Sequence, residues 1–262
     1  MSDYQLRFGG IERLYGVQSA SFIQQAHFCV IGIGGVGSWV AEALARNGIG
    51  NITLIDLDDI CITNTNRQIH ALAGTIGESK VEVMAERIKQ INPDCNVNEV
   101  EDFITLENLS ELIQGFDYVI DAIDSVKVKT ALIAHCKRNK LPIITVGGAG
   151  GQTDPTKIEI CDLSKTYQDP LLAKVKNQLR RDFNFSRNVK RKFQIDAVFS
   201  SEQLKYPASD GSVCHAKQSN DGAMRLDCSG GFGAATHVTA SFAFFAVSKA
   251  MDKYLAKKRK AI

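Results

Sequence analysis

The sequence predicts an α/β protein with a Rossmann-like, mostly parallel sheet and helices on both faces. Short apolar runs with strand character alternate with segments of helical spacing over the first 150 residues. Such alternation is typical of βαβ units, whose strands lie parallel. A glycine-rich turn joins the first apolar run to an alanine-rich segment. With 44% apolar and 23% charged residues, the chain has the composition of a globular protein with a substantial core.

The first part of the chain supplies most of the predicted sheet. Strands are expected at residues 27–32, 51–56, 97–103, 118–121 and 141–146. A helix and turn are expected near 6–16, and further helices at 37–47, 80–92, 106–114 and 126–139. Pro93 ends the helix predicted at 80–92, because proline cannot continue a helix. The last strand leads into a second glycine-rich loop, GGAGG at 147–151.

The second part of the chain is less regular. Strands are expected at 157–162 and 193–199, a basic helix at 171–183, and a long helix at 233–258. Together these elements form a C-terminal strand and helix elaboration of the core. A polar stretch near 202–223 is expected to be a mobile loop, since long loops without structure are usually functional or disordered. Because neither a repeat nor a clean linker is evident, we expect one domain over 1–262, with a core at 1–150 and an elaboration at 151–262.

Charge is unevenly distributed along the chain. Residues 1–150 hold 12 Lys and Arg against 18 Asp and Glu, whereas residues 151–262 hold 19 against 11. A basic half on a chain of net charge +2 indicates a polyanionic partner for that half. The alternative is a solvated basic face.

The cysteines indicate a reducing, cytoplasmic environment. There are seven, none in a C-x-x-C pair, and several lie in apolar runs, as Cys29 does. Residues 230–250 are apolar enough to attract attention as a membrane segment, but they include His237 and several small polar residues. A buried core helix is the favoured interpretation, and membrane association through this segment is the less favoured one.

The first glycine-rich turn predicts a nucleotide site. Its four glycines follow a strand and open a helix, which permits a tight turn and close approach of the backbone to phosphate. They are Gly32, Gly34, Gly35 and Gly37. Asp56 ends the second strand, where it can accept a hydrogen bond from a ribose hydroxyl. On this observation alone, NAD is the default ligand.

Further polar residues favour a triphosphate. Asn64, Arg67, Gln68 and Lys80 follow the ribose acid, and two cations there suit phosphates beyond the reach of one helix N-terminus. They would also stabilise the charge of a departing pyrophosphate. Asp124 ends the YVIDAID run, where its carboxylate can hold Mg²⁺. The alternatives are an exposed Arg67, a Lys80 at a helix end and an Asp124 that caps a helix.

These motifs together resemble those of the E1-like activating enzymes, a family that includes ubiquitin activators and the molybdopterin and thiamine adenylyltransferases. The resemblance rests on VIGIGGVGSW, NITLIDLDD, NTNRQIH, GESKVEV and YVIDAIDS, and covers about residues 5–150. It implies contacts to ATP from Gly34, Gly35, Asp56, Asn64, Arg67, Gln68, Lys80, Asp124 and Ser125. It also implies an arginine supplied by a facing protomer. A glycine, Gly10, stands where that arginine usually falls, so Arg13 or Arg7 is the candidate.

The remainder of the chain resembles a branch of that family, the bacterial dehydratases of tRNA threonylcarbamoyladenosine. The segments that carry this resemblance are GGAGGQTDPTKIEICDLSKTYQDPL, YPASDGSVC and RLDCSGGFGAATHVTASF. It implies a homodimer that adenylates and cyclises the threonylcarbamoyl group of the adenosine next to the anticodon. Association with a cysteine desulfurase and its sulfur-acceptor protein is implied as well. The two C-x-x-C pairs that usually bind zinc in the sulfur-carrier branch are missing, so no zinc is expected.

Two features of the tail bear on the partner. The basic run predicts contact with tRNA, with interleaved Phe183, Phe185 and Phe193 available to stack on bases. The alternative is a charged helix face whose phenylalanines lie in the core. The cations of the basic run are Lys174, Lys176, Arg180, Arg181, Arg187, Lys190, Arg191 and Lys192.

Cys214 and Cys228 lie on or near the long loop, so a competing hypothesis is an activator of a sulfur-carrier or ubiquitin-like protein that uses a loop cysteine.

Overall fold

A seven-stranded sheet forms the centre of the protein. The computed structural model describes residues 2–208, 210–215 and 232–260. The strands of the sheet are β1 (His27–Ile31), β2 (Asn51–Ile55), β3 (Asn96–Val100), β4 (Tyr118–Asp121), β5 (Ile143–Val146), β6 (Ile158–Asp162) and β7 (Asp196–Ser200). Their order is β3-β2-β1-β4-β5-β7-β6, and only β6 runs antiparallel to its neighbour. The predicted Rossmann-like, mostly parallel sheet is therefore confirmed.

Helices cover both faces of this sheet, as predicted. They are α1 (Asp3–Tyr15), α2 (Val17–Gln25), α3 (Gly37–Arg46), α4 (Lys80–Ile91), α5 (Leu109–Leu112), α6 (Val126–Arg138), α7 (Pro170–Asp182) and α8 (Thr236–Arg259). Helices α2, α3, α4 and α8 contribute buried side chains to one apolar core, and α5, α6 and α7 contribute to the other. Strands β1, β2, β4 and β5 are buried on both faces and read as apolar runs, which is why the sequence revealed them.

Several predicted boundaries differ from the structure because side chains compete for backbone groups. Helix α5 is shorter than the predicted 106–114, since the Asn108 side chain accepts the Thr105 N–H and donates to the Phe103 carbonyl. Strand β7 begins later than predicted because the Asp162 carboxylate accepts the N–H groups of residues 193 and 194. At the N-terminus, Gly16 with φ +88° separates two helices where one helix and a turn were expected.

The described part of the polar stretch near 202–223 contains a short hairpin. Within its described part, β8 (Tyr206–Pro207) pairs antiparallel with β9 (Val213–Cys214). The rest of the predicted mobile loop, from residue 216 onward, lies outside the described residues.

Helix α8 contains most of the apolar segment 230–250, for which the sequence allowed two interpretations, a buried core helix and a membrane segment. Its buried side chains, among them Phe242, Val247 and Met251, pack into the same apolar core as α3 and β4. No helix in the described part of the chain has the length and apolar character that crossing a membrane requires.

Candidate active site

The glycine-rich turn leads from β1 into α3 and depends on glycine at two points. Gly32 has φ +84°, and a Cβ there would lie 3.0 Å from the Ala122 carbonyl oxygen. A Cβ at Gly37 would lie 1.7 Å from the carbonyl oxygen of Gly32. No residue with a Cβ fits at position 37, and at position 32 the positive φ and the close carbonyl strongly favour glycine. The result is a turn that passes against the loop after β4 and opens directly into the N-terminus of α3.

This turn presents backbone donors that the protein itself does not use. The N–H groups of Gly34, Gly35 and Val36 donate to none of the residues that the structure describes. They lie at the start of α3, where the helix dipole favours negative charge. A phosphate group can accept all these hydrogen bonds.

Asp56, at the end of β2, braces the turn. Its Oδ2 accepts the Ile33 N–H at 2.6 Å and its Oδ1 accepts the Asp58 N–H at 2.9 Å. Burial raises the pKa of this carboxyl, and Lys80 and the two N–H groups oppose that rise. Each oxygen keeps a lone pair for a further donor, so the predicted bond to a ribose hydroxyl remains possible.

Lys80, the first residue of α4, is buried beside this acid. Its ammonium lies 2.7 Å from the Asp58 carboxylate and 3.9 Å from that of Asp56. The Lys80 side chain is only 6% exposed. Lys80 does lie at a helix end, which was the alternative interpretation, but its charge is buried between two carboxylates and does not face solvent.

The segment between the ribose acid and Lys80 folds over the glycine turn. Arg67 lies so close that a Cβ at Gly35 would be 3.3 Å from its Cγ and Cδ. Its guanidinium donates to the Thr63 carbonyl at 2.7 Å and to Asn66 at 3.1 Å. The residue is half-buried.

Two amides lie below this arginine. Asn64 is buried, and its Oδ1 accepts the Cys61 N–H at 3.0 Å, which closes a short 3-10 turn. Gln68 is also buried beside Gly34, and its Oε1 accepts no hydrogen bond within the described part of the chain. A buried acceptor without a partner is uncommon, so Gln68 has capacity left for a ligand or a water molecule.

Asp124 and Ser125 lie at the mouth of the site. Both are exposed, on the loop that runs from β4 to α6, and this loop touches Gly32 through Ala122 and Ile123. Ser125 precedes the first turn of α6 without a side-chain bond to it. Because Ser125 is the N-cap residue of α6, the alternative that Asp124 caps this helix is wrong. Mg²⁺ commonly binds one or two carboxylates together with phosphate oxygens. Among the described residues no cluster of three or more metal-binding side chains occurs.

Sequence reasoning missed the pair that anchors this loop. Asp121 and Lys129 are fully buried, with Nζ 3.0 Å from Oδ1. The same ammonium donates to the Ile123 carbonyl at 2.8 Å, and Thr145 donates to the other oxygen of Asp121 at 2.7 Å. A signal was available, because Lys129 interrupts the apolar face of α6 formed by Leu132, Ile133 and Cys136. A lysine on a buried helix face requires a buried partner.

The start of α8 closes the other side of the site, which the sequence also did not reveal. Asn66 donates to the Ala234 carbonyl at 2.8 Å, and the hydroxyl of Thr236 donates to the Asn66 carbonyl. Thr239 lies against Gly35. The C-terminal helix therefore fixes the arginine-bearing segment from above.

The candidate arginines of the N-terminal helix lie elsewhere. Tyr4 of α1 donates to the Gly48 carbonyl, beyond the end of α3 that is opposite the turn. At the other end of α1, Tyr15 accepts from Arg259 at the C-terminus of α8. Helix α3 alone spans about 15 Å. Arg7 and Arg13 are exposed on this distant helix, so the structure does not bring either to the turn of its own chain.

The basic run of the tail is only partly a free surface. Arg181 pairs with Asp182 at 2.7 Å, Lys176 donates to the Thr166 carbonyl, and Arg180 lies over the ring of Phe193. The prediction that the phenylalanines can stack on bases is wrong for Phe193, which is 3% exposed. Phe183 and Phe185 pack against the same core. The free cations are the remaining five, Lys174, Arg187, Lys190, Arg191 and Lys192.

The two loop cysteines have different outcomes. Cys214 ends the short hairpin, and its thiol donates to the Tyr206 carbonyl at 3.7 Å. Cys228 lies outside the described residues.

Fold and site define the class of protein. This is a doubly wound α/β protein in which the glycine turn, a buried acid and two nearby cations lie together at the carboxyl ends of the strands, where ligands bind in such folds. Residues 10–261 match the ThiF family. The chain belongs to this family.

Known proteins resemble the chain over nearly its full length. The tRNA threonylcarbamoyladenosine dehydratase of Haemophilus influenzae is 61% identical over 260 residues, which cover 98% of this chain and 97% of that protein. The crystal structure of the Escherichia coli tRNA N6-threonylcarbamoyladenosine dehydratase in complex with ATP is 54% identical, with a TM-score of 0.88 and coverage of 99% and 98%. Its complex with AMP is 55% identical, with the same TM-score and coverage.

Proposed function

We propose that the chain is an ATP-dependent tRNA-modifying enzyme, a tRNA threonylcarbamoyladenosine dehydratase. It adenylates the carboxylate of N6-threonylcarbamoyladenosine next to the anticodon and cyclises it with net loss of water. The observation that carries this proposal is the extent of the similarity, which covers 98% of the chain and so includes both the glycine turn and the basic tail.

The residues of the turn suit ATP as a substrate. The free N–H groups of Gly34 and Gly35 would bind phosphate, Asp56 the ribose, and Arg67 with Lys80 the phosphates that leave. Asn64, Gln68 and Ser125 complete the proposed contacts. Asp124 would hold Mg²⁺, and a bound magnesium ion would neutralise phosphate charge there. Calorimetric titration should show ATP binding without comparable NAD binding, and tight NAD binding without ATP binding would refute adenylation.

The chemistry follows from the poor reactivity of a carboxylate. One carboxylate oxygen of the threonyl group attacks the α-phosphorus of ATP, and pyrophosphate leaves. The urea-type oxygen of the same side chain then attacks the activated carbon, AMP departs with the carboxylate oxygen, and a proton is lost as the five-membered ring closes. Ring closure within one molecule benefits from a high effective concentration, so a thioester with the enzyme would add a step without gain.

The competing hypothesis, an activator of a sulfur-carrier or ubiquitin-like protein, differs in its need for a thiol. Replacing Cys214 and Cys228 together by serine should leave cyclisation in vitro within a few-fold of wild type. Retention of adenylate formation with complete loss of the cyclic product would instead show that a thiol carries the acyl group.

We further propose a homodimer in the cytoplasm. Because Arg7 and Arg13 lie far from the turn of their own chain, either of these two arginines would reach a glycine turn only in a second copy. Two partly exposed aromatic residues, Trp39 and Phe244, contact each other edge to face and would suit such contact. The whole chain would act as one adenylating domain without zinc. Association with a cysteine desulfurase and its sulfur-acceptor protein stays a prediction of the family resemblance.

A further inference from the structure

A cavity of about 340 Å³ opens on the same edge of the sheet as the glycine turn. It lies between the N-terminus of α7 and the segment that follows β7, beside the carboxyl ends of β5 and β7. Its volume is at the lower end of the range for small-molecule sites. It is large enough for one nucleoside and too small for a helix of a partner protein.

Two amides, a tyrosine ring, His215 and the buried Asp169 are the polar and aromatic groups that line this cavity. Gln168 and Gln203 are exposed at its walls, and neither side chain bonds to another described residue. The ring of Tyr206 forms a further wall, held by a contact with Phe232 at 5.0 Å between ring centroids. No lysine or arginine lines the cavity. Amides that can pair with a base edge, together with an aromatic ring, suit a purine better than a phosphate.

The floor of the cavity is tied rigidly to the glycine-rich loop after β5. The buried Asp169 carboxylate accepts the N–H groups of Gly148 and Leu172, at 2.9 Å and 2.8 Å. A Cβ at Gly147 would lie 1.9 Å from this carboxylate, so the close approach requires glycine. This gives the GGAGG motif a structural purpose, which is to fix the cavity wall relative to the sheet.

The distance from the cavity to the turn matches the dimensions of the modified nucleoside. The turn follows β1, and the order β1-β4-β5-β7 places the cavity two to three strand spacings away, or about 10–14 Å. Four bonds separate N6 of the adenine from the threonyl carboxylate carbon, a span of about 5 Å. The α-phosphate and half of the purine ring account for the remaining distance between the cavity and the turn.

We propose that the cavity lined by Gln168, Gln203 and Tyr206 binds the purine base of the nucleoside whose carboxylate is activated at the glycine turn. The base enters unstacked from the anticodon loop, and the threonylcarbamoyl arm extends along the strand ends towards the α-phosphate of ATP. This inference rests on the proposed function and adds the substrate subsite to it.

The test uses the full-length protein, ATP, and an anticodon stem–loop RNA that carries the modified adenosine. Tyr206→Ala and Gln203→Leu should each raise KM for the RNA about tenfold, the scale of one lost base contact. KM for ATP should change less than twofold. Tyr206→Phe keeps the ring and should behave as wild type, which separates stacking from a folding defect. Phe103→Ala, an exposed aromatic next to β3 at the opposite end of the strand order, is the matched control.

The outcomes are distinguishable. If wild type cyclises the RNA and both variants keep its KM within twofold, the cavity does not bind the base. The same conclusion follows if the variants impair adenylation of a sulfur-carrier peptide instead. If wild type binds ATP and leaves the RNA unchanged, the proposed function itself fails.

Discussion

The ammonium of Lys80 lies 3.9 Å from the carboxylate of Asp56, inside the protein and beside the glycine turn. The predicted phosphate cation and the predicted ribose acceptor are therefore direct neighbours, although they belong to different elements. Asp58, at 2.7 Å from the same ammonium, shares its charge. A phosphate that enters the cradle meets a cation whose position is already fixed, which reduces the reorganisation required during reaction.

Removal of single charged groups at this site should strongly slow the reaction. Arg67→Ala, Lys80→Ala and Asp124→Ala are each expected to lower turnover by about 10²-fold, the usual scale for a lost contact to transition-state charge. Lys127→Ala, at an exposed lysine on the first turn of α6, is the matched control and should be neutral. Steady-state kinetics measure the effect, and turnover within a few-fold of wild type for all three would mean that the site lies elsewhere.

The three variants should differ in stability. Arg67 is half-buried and Asp124 exposed, so their alanine variants should melt close to wild type. Lys80→Ala leaves the buried Asp56 carboxylate without its nearby cation and should melt lower. Thermal melts therefore separate loss of function from loss of fold.

The buried pair beneath the loop should be important for stability. Lys129→Met leaves the Asp121 carboxylate buried without its cation and should lower the free energy of unfolding by about 3–5 kcal/mol. Adding Asp121→Asn should restore part of this loss, because the uncompensated charge is removed. Urea unfolding measures both variants, and a Lys129→Met protein as stable as wild type would contradict a structural role for the pair.

A buried histidine should make stability depend on pH. His70 is 1% exposed, and burial, followed by the charges of Lys80 and Arg87, lowers its pKa to about 4. Between pH 4 and 6.5 the unfolded chain therefore binds a proton that the folded chain does not, so this group makes stability fall as pH falls through that window. At about 1.4 kcal/mol per pKa unit, the loss is about 3 kcal/mol.

His70→Leu removes the titrating group and should flatten the dependence of unfolding free energy on pH in this window. The measurement is urea unfolding at a series of pH values from 4 to 7. An unchanged slope in the variant would mean that His70 titrates normally in the folded protein.

Sequence patterns predicted the strands and the residues of the turn because both depend on local chemistry. Apolar runs formed strands buried on two faces, and glycines stood where no Cβ fits, as at Gly37. The sequence did not reveal the pairing of Lys129 with Asp121, the closure of the site by Thr236, or the distance of Arg13 from the turn. Each of these depends on which elements the fold brings together.

For the basic run, too, the sequence could not show which side chains contact each other. The density of charged residues along the sequence could not distinguish Arg181, which pairs with Asp182, from the unpaired Lys192. It also could not show that the Phe193 ring is already packed against Arg180. The prediction for tRNA binding therefore moves to the five free cations.

Affinity for tRNA should fall steeply with salt, because each neutralised phosphate releases counterions. Reversing the charge of Arg187, Lys190, Arg191 and Lys192 together should flatten the salt dependence and weaken binding, with ATP affinity unchanged. Reversal of Arg181, whose charge is already paired, is the matched control and should have a smaller effect. Filter binding over a salt series measures this, and an unchanged slope in the fourfold variant would place the RNA surface elsewhere.

The central claim is that the chain uses ATP to remove one water from a modified adenosine in tRNA. The direct measurement is mass analysis of nucleosides from tRNA incubated with the protein, with and without ATP. The account predicts a threonylcarbamoyladenosine species lighter by one water, formed only with ATP and accompanied by AMP and pyrophosphate in equal amounts. An unchanged nucleoside mass under conditions where ATP is bound and cleaved would contradict it.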